Sequence, residues 1–250
     1  MNKLTPEQYK NIIGLIDPDP VGGVYPLSAA EGRQQGDIYT DSVSVLIHHH
    51  CGFAFLFGKC DTAFLNCVYD TFLSPESEPP RRFVLFSDSE RIVDLFRGKN
   101  NIIFGKRYFF SYPGDTAPKA EIPAGYSVRE LDEDLCRRLE GRIVPAFSWS
   151  STAEFLNGGK GFCVCDGDRP VAWAFSAAVS SREIDTGVET LESHRGQGLA
   201  YAAASQMISF CLEQGKRPVW ACDAGNTASR RLAEKLGFVL TGECTTIRRQ

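Results

Sequence analysis

The clearest periodicity in the chain runs from Gly198 to about Glu213. Leu199, Ala203, Met207, Phe210 and Cys211 recur near i, i+4, i+8 and i+11/12, which is one apolar stripe on a helix. Ala200, Ala202, Ala203 and Ala204 crowd its start, so that end can lie close against a sheet. Gly215 and Pro218 mark its stop. Val219–Cys222 then reads as a short buried strand, and Asp223–Asn226 as a turn. Asn226 is a fit N-cap for a second helix with Leu232 and Leu236 on one face. Gly237 ends that helix, and Phe238–Leu240 opens a further strand. An apolar run also ends just before Glu192, so the order is strand, turn, helix, strand, helix, strand. The first two strands are expected to be neighbours joined by a crossover, and ligands bind where the carboxyl ends of such strands open.

The first half of the chain has a different texture. Val43–Ile47 and Phe53–Phe57 read as hairpin strands, and residues 61–72 as a helix. A linker-like stretch covers Ser74–Pro80. Phe83–Phe86 reads as a strand, Glu90–Arg97 as a helix and Ile102–Phe110 as a strand. Its many phenylalanines are read mostly as core. This is an α+β order without a visible internal repeat. Residues 111–123 carry Pro113, Gly114, Pro118 and Pro123, which sets the expected boundary: one domain over residues 1–118 and a second over 124–250.

Composition narrows the class. With 43% hydrophobic residues the chain is an ordinary globular one. Lys+Arg number 27 against 31 Asp+Glu, for a net charge of −4. Without a basic stripe, nucleic acid is not the expected partner. No apolar run approaches the roughly 20 residues of a membrane span. The amphipathic stretch from Met1 to Asp17 carries acids and a proline, so it does not read as a signal peptide. Nine cysteines, an odd number, fit a reducing cytoplasm. His48-His49-His50-Cys51 reads as a hairpin tip and not as a metal site, because consecutive residues on a strand point to opposite faces. Cys163-x-Cys165 lacks a zinc-type spacing partner and reads as structural. No metal is expected.

The chemistry concentrates in Glu192-Ser193-His194-Arg195-Gly196-Gln197-Gly198-Leu199-Ala200. Two glycines in a basic turn let several N–H groups converge on one anion. The helix that follows adds roughly half a positive charge at its N-terminus. A phosphorylated ligand or cofactor is the resulting hypothesis.

Two matches then lie in a familiar order. Arg195, Gly198 and Ala200 fit Arg/Gln-x-x-Gly-x-Gly/Ala. Asn226-Thr227-Ala228-Ser229, followed by Leu236-Gly237-Phe238, fits an Asn-x-x-Ala/Ser helix ending in Gly-Phe. Together they resemble the GNAT superfamily of acyl-CoA-dependent N-acyltransferases, over roughly Tyr126 to Gln250. The resemblance implies an α/β fold with a mixed α+β sheet: a GNAT acyltransferase fold at the C-terminus and an α+β N-terminal accessory domain. It implies an opening strand at Tyr126–Leu131, helices over 132–142 and 152–157, a hairpin turning at Asp166-Gly167-Asp168, and a cofactor strand from Ile184 to Thr190, with Glu183 in the preceding turn. The run from Pro218 to Lys235 also resembles a subgroup that includes acetyltransferases of aminopolyol antibiotics.

The resemblance further implies acetyl-CoA as acyl donor and a small-molecule primary amine as acceptor. The backbone of Arg195, Gly196, Gln197, Gly198, Leu199 and Ala200 would hold the pyrophosphate. Val188, Thr190 and Leu191 would bind the pantetheine arm, and Asn226 and Ser229 would contact it from the opposite side. Asp185 and Glu189, on one face of the strand by its period of two, are the candidate bases, with Gly187 as a gap between them for substrate. The usual general-acid Tyr, seven residues after the Asn, is Ala233 here. Tyr201, Cys222 and His194 are the nearby alternatives. That departure sustains a second reading, a non-catalytic acyl-CoA sensor. These implications place the chain in the cytoplasm and leave a homodimer open.

Overall fold

The computed structural model describes residues 1–16 and 23–250. Asp17, the end of the amphipathic N-terminal stretch, lies outside the described residues. In chain order the elements are β1 (Asn2–Lys3), a 3-10 helix (Pro6–Leu15), α1 (Val24–Ala30), β2 (Gly36–Thr40), β3 (Ser44–His49), β4 (Phe53–Gly58), α2 (Thr62–Val68, prolonged by a π-helical turn over Tyr69–Leu73), β5 (Val84–Ser87), α3 (Glu90–Arg97) and β6 (Ile102–Ser111). There follow β7 (Tyr126–Glu130), α4 (Glu133–Arg138), a 3-10 turn (Pro145–Phe147), α5 (Thr152–Gly158), β8 (Gly161–Asp166), β9 (Arg169–Val179), β10 (Glu183–Thr190), a 3-10 turn (Glu192–His194), α6 (Leu199–Glu213), β11 (Arg217–Asp223), α7 (Thr227–Leu236) and β12 (Val239–Arg249). Two compact units result. One holds Met1–Phe109, Cys222–Gly225 and Thr241–Gln250; the other holds Phe110–Ala221 and Asn226–Leu240.

In the first unit the strands lie in the order β1-β2-β3-β4-β5-β12-β6. The first four run antiparallel to one another in turn. β5 is parallel to β4, from Phe53↔Val84 to Phe55↔Phe86, and β12 is antiparallel to β5. Leu46, Leu65, Phe72, Leu85, Phe96 and Ile247 fill one core cluster. In the second unit the order is β7-β8-β9-β10-β11, antiparallel up to β10 and parallel from β10 to β11. Trp173, Phe155 and Phe175 are fully buried in it. The alanines at the start of α6 bring that helix onto the sheet as its small side chains require: Ala202, Ala203 and Ala204 are buried.

The two units share a topology. The series β1 to β5 and β7 to β11 have the same neighbours and the same directions. Helical segments separate the first two strands of each series, and a helix (α2 or α6) crosses to the parallel strand. A further helix and strand follow in both. No repeat is visible in the sequence because the shared property is the path of the chain. The helix starts differ. α2 begins on Asp61, whose carboxylate accepts from the Phe64 N–H at 3.0 Å, so the protein supplies that helix's own anion. α6 begins on Gly198 with no side-chain cap.

Several expectations need correction. The helix expected over 132–142 is only α4: Leu139 is already extended, Gly141 adopts φ +140, and the next two N–H groups are held by Glu189 (below). Glu183 opens β10 instead of sitting in the turn. α1 and β2 have no counterpart in the sequence reading: all seven residues of α1 are buried, so no polar face marks it, and only Ile38 of β2 is fully buried. His48 and His49 belong to β3 and are buried, while the tip is at His50–Gly52. No helix among the described residues is long and apolar enough to cross a membrane.

The histidine pair is held as core. His48 packs edge-on against Phe72 and Phe83, and its Nε2–H donates to the Arg82 carbonyl at 2.9 Å. His49 Nδ1 accepts from the Cys51 N–H at 3.2 Å. Arg81 donates to the carbonyls of both, at 2.7 and 3.2 Å. Burial, reinforced by nearby positive charge, pushes His48 down to about 4 and His49 down to about 3. An unfolded histidine protonates near 6.5, so between those limits the unfolded chain binds protons that the folded chain refuses. Stability therefore falls as pH drops from about 6.5 toward 4 and below. Denaturant titrations at pH 7 and pH 5 should show a larger loss for the wild type than for His49→Gln; equal losses would remove His49 from the acid response.

Candidate active site

β10 is the organising strand of the second unit. It pairs with β9 along its length, with a bulge between Asp185 and Thr186. With β11 it pairs at three positions: Glu183↔Arg217, Ile184↔Pro218 and Asp185↔Val219. The Leu191 N–H donates to the Val171 carbonyl at 2.9 Å. Ladder alternation then turns the backbone groups of Gly187 and Glu189 toward β9 as well. Thr186, Val188 and Thr190 turn theirs to the other edge, the one β11 leaves. An extended ligand can add there as a strand would. The Thr186 side-chain oxygen is buried with no hydrogen-bond partner among the described residues.

β10 leads into the glycine turn. Gly196 and Gly198 have φ +80 and +81, conformations that cost other L-residues about 1–2 kcal/mol. A Cβ on either would meet nothing within 4 Å, so the glycines serve backbone shape and open approach, not packing. Arg195, Gly196, Gln197 and Gly198 are exposed, Leu199 is buried and Ala200 half-buried. Arg195 Nε reaches back to the Thr190 carbonyl at 3.4 Å. The Tyr126 hydroxyl donates to Gln197 Oε1 at 2.9 Å, which steadies the turn from β7. The first N–H groups of the 15-residue α6 have no partner within the helix, so the turn and helix start together present convergent donors to an anion.

Asn226 caps α7, its Oδ1 accepting from the Ser229 N–H at 3.0 Å. The Ser229 hydroxyl in turn accepts from Trp220 Nε1 at 3.0 Å. Both residues are thus fixed by structural bonds, and the cap leaves the Asn226 amide nitrogen outside it. Ala233 is fully buried. Tyr201 is half-buried on the first turn of α6, with Lys235 Nζ 5.2 Å from its ring centroid. Cys222 is buried. His194 lies against Ser193, with Nδ1···Oγ at 2.8 Å.

The two candidate carboxylates sit in unlike surroundings. Asp185 is 4% exposed, at the bulge and at the last pair with β11. Half-buried Glu189 accepts through Oε2 from the N–H groups of Arg142 (2.9 Å) and Ile143 (2.6 Å). Trp173 Nε1 donates to the Ile143 carbonyl at 2.7 Å, so the 141–143 segment is pinned at both its N–H and C=O groups. A Cβ on Gly141 would lie 2.7–3.0 Å from the Glu189 carboxylate atoms. The gap expected at Gly187 is closed: a Cβ there would meet the Phe175 ring at 2.8 Å, so that glycine makes room for Phe175 and not for substrate. Glu183 has its carboxyl pushed up by burial, opposed by Arg217 at 3.7 Å. The pinned segment and Trp173 escaped the sequence reading; Gly141 inside a helical pattern was the signal. Gly141→Ala should lower stability by about 1–3 kcal/mol through backbone strain and the crowded carboxylate; denaturant unfolding with an unchanged midpoint would contradict the clamp.

Comparison with known proteins bears on the family and the fold. The family model described as GNAT acetyltransferase matches residues 25–247. A Bacillus subtilis (strain 168) protein named uncharacterized N-acetyltransferase YdfB is 28% identical over 254 residues, covering 98% of this chain and 97% of its own. A GCN5-related N-acetyltransferase-like protein from Streptococcus suis 89/1591 is similar in structure, with a TM-score of 0.73 at 24% identity over 98% of this chain and 99% of its own. A tandem GNAT protein from the clavulanic acid biosynthesis pathway has a TM-score of 0.60 at 10% identity, over 98% and 94% of the two chains.

Proposed function

The chain belongs to the GNAT acetyltransferase family, and from that membership we propose that it transfers an acetyl group from acetyl-CoA directly to a small-molecule primary amine. The observation that carries this reading is the parting of β10 from β11 after three pairs, on the strand that leads into a turn with two left-handed glycines. That arrangement offers an unpaired strand edge for an amide-bearing arm and a cluster of donors for a pyrophosphate.

In this reading the N–H groups from Arg195 to Ala200 hold the pyrophosphate. Val188 and Thr190 bond the pantetheine amides, and a β10 N–H on the open edge polarises the thioester carbonyl. Such an oxyanion donor is typically worth about 3–4 kcal/mol of barrier. Asn226 and Ser229 flank the arm from α7. A lysine-like amine has a pKa near 10.4 and must lose a proton before it attacks. Asp185, at the bulge, takes that proton directly or through water. Glu189 is committed to two backbone N–H groups, which makes it the support of the 141–143 segment rather than the base. Tyr201 is the residue of choice for protonating the departing thiolate in place of Ala233. The first unit, whose matching helix starts on Asp61, takes no donor, so one acetyl-CoA binds per chain.

Three measurements test this. Acetyl-CoA and CoA, but not ATP, should raise the melting temperature, by the equivalent of about 2.7 kcal/mol at 100 times Kd, with one site per chain by calorimetry. Gly198→Val should weaken acetyl-CoA at least tenfold and, because Gly198 has φ +81, also lower the melting temperature of the free protein; unchanged acetyl-CoA affinity would remove the turn from the site. In an amine panel that includes aminopolyol antibiotics, Asp185→Asn should lower kcat at unchanged acetyl-CoA affinity. Glu189→Gln, whose amide oxygen still accepts, should keep most activity, and Glu189→Ala should raise the KM for the amine. Tight donor binding without turnover on any amine would return the acyl-CoA-sensor reading.

A further inference from the structure

Thr186 is the first residue of β10 beyond its last pair with β11, Asp185↔Val219. It is 5% exposed, and its hydroxyl oxygen has no hydrogen-bond partner among the described residues. The residue opposite it on β9 is Ser176, whose hydroxyl is already engaged. That hydroxyl accepts from the Lys160 N–H at 2.8 Å and donates to the Lys160 carbonyl at 3.1 Å. Folding strips water from the Thr186 hydroxyl and returns no hydrogen bond from the chain, a loss that native structures rarely leave standing. Valine has the same shape and would avoid that loss. A hydroxyl kept under those conditions points to a partner outside the chain.

The direction of β10 says which part of a ligand meets it. This inference rests on the acyl-transfer reading above, in which the pantetheine arm runs from the glycine turn back along the open edge, past Thr190 and Val188. The edge from Thr190 to Thr186 measures about 13 Å at the usual strand rise, which is room for both amides of the arm. β11 closes the edge at Asp185, so the arm ends at Thr186 with its thioester. In threonine, Oγ1 and N are separated only by Cα and Cβ, so the hydroxyl and the N–H of this residue can meet one ligand oxygen. We propose that the Thr186 hydroxyl is a catalytic donor: it hydrogen-bonds the carbonyl oxygen of the bound thioester. That bond strengthens as the oxygen gains negative charge during attack by the amine.

Calorimetric titration of acetyl-CoA and of CoA into the full chain, as wild type, Thr186→Val and Thr186→Ser, tests this, because only acetyl-CoA carries the carbonyl. Thr186→Val should shift the ratio of the dissociation constants about fivefold against acetyl-CoA, the worth of one hydrogen bond. Without ligand, it should melt no lower than the wild type. Thr186→Ser retains the hydroxyl and should retain the ratio. An unchanged ratio in Thr186→Val, or a lower melting temperature of that variant without ligand, would overturn the proposal and make the hydroxyl structural. Wild type that binds neither ligand would remove the acyl-transfer reading and this proposal with it. Wild type that binds both, with a ratio indifferent to valine, would remove this proposal alone.

Discussion

A strand that loses its neighbour in mid-sheet has polar backbone groups that something else must satisfy. β10 is such a strand, and much of the second unit follows from how that demand is arranged. β11 stays with it for three pairs, up to Asp185. The bulge against β9 falls at the next step. Beyond it, the edge facing away from β9 carries Thr186, Val188 and Thr190, and the glycine turn opens where the strand ends. The face of β10 that bears Glu189 is used differently, to hold a loop 47 residues upstream in sequence. One strand thus provides an open edge for a ligand and an anchor for the segment opposite.

The second unit also shows which features a single sequence can express. α6, α7 and the Asn226 cap were legible because their signals are local: a stripe of period 3.6, a capping amide, and glycines at the ends. The glycine turn was legible because its demand for positive φ falls on Gly196 and Gly198 themselves. The end of α4 was not, because Leu139 turns extended and the chain beyond it is held by a carboxylate on β10, a partner remote in sequence. Gly187 shows the same limit. Its lack of a side chain is visible in the sequence, but the reason, the Phe175 ring on β9, exists only once the strands pair. α1 defeated periodicity by being buried on every side. His48 and His49 were read as a tip from the apolar runs on either side of them, whereas they lie buried in β3, His48 against Phe72 and Phe83 and His49 against Tyr25.

The two units make a natural experiment in what a fold retains. Both have the same order of strands and the same crossover. At the start of one crossover helix stands a chain-borne carboxylate, Asp61; at the start of the other stands Gly198, with no side-chain cap. The path of the chain tolerates either ending, since the strands are held by their cores of Leu46, Leu85 and Ile247 or Trp173 and Phe175. The two units thus differ over a handful of residues between strand and helix while keeping the same path of the chain.

The clamp on Arg142 and Ile143 has a consequence for how that loop can be exchanged between relatives. The loop's contour is dictated partly by Glu189 and Trp173, which belong to other strands, and Gly141 is shaped to that carboxylate. Transplanting the loop from a relative would bring its residues but not the mould that sets them. Loop, carboxylate and indole form one exchangeable cassette, scattered over three places in the sequence, and they would have to be inherited or engineered together.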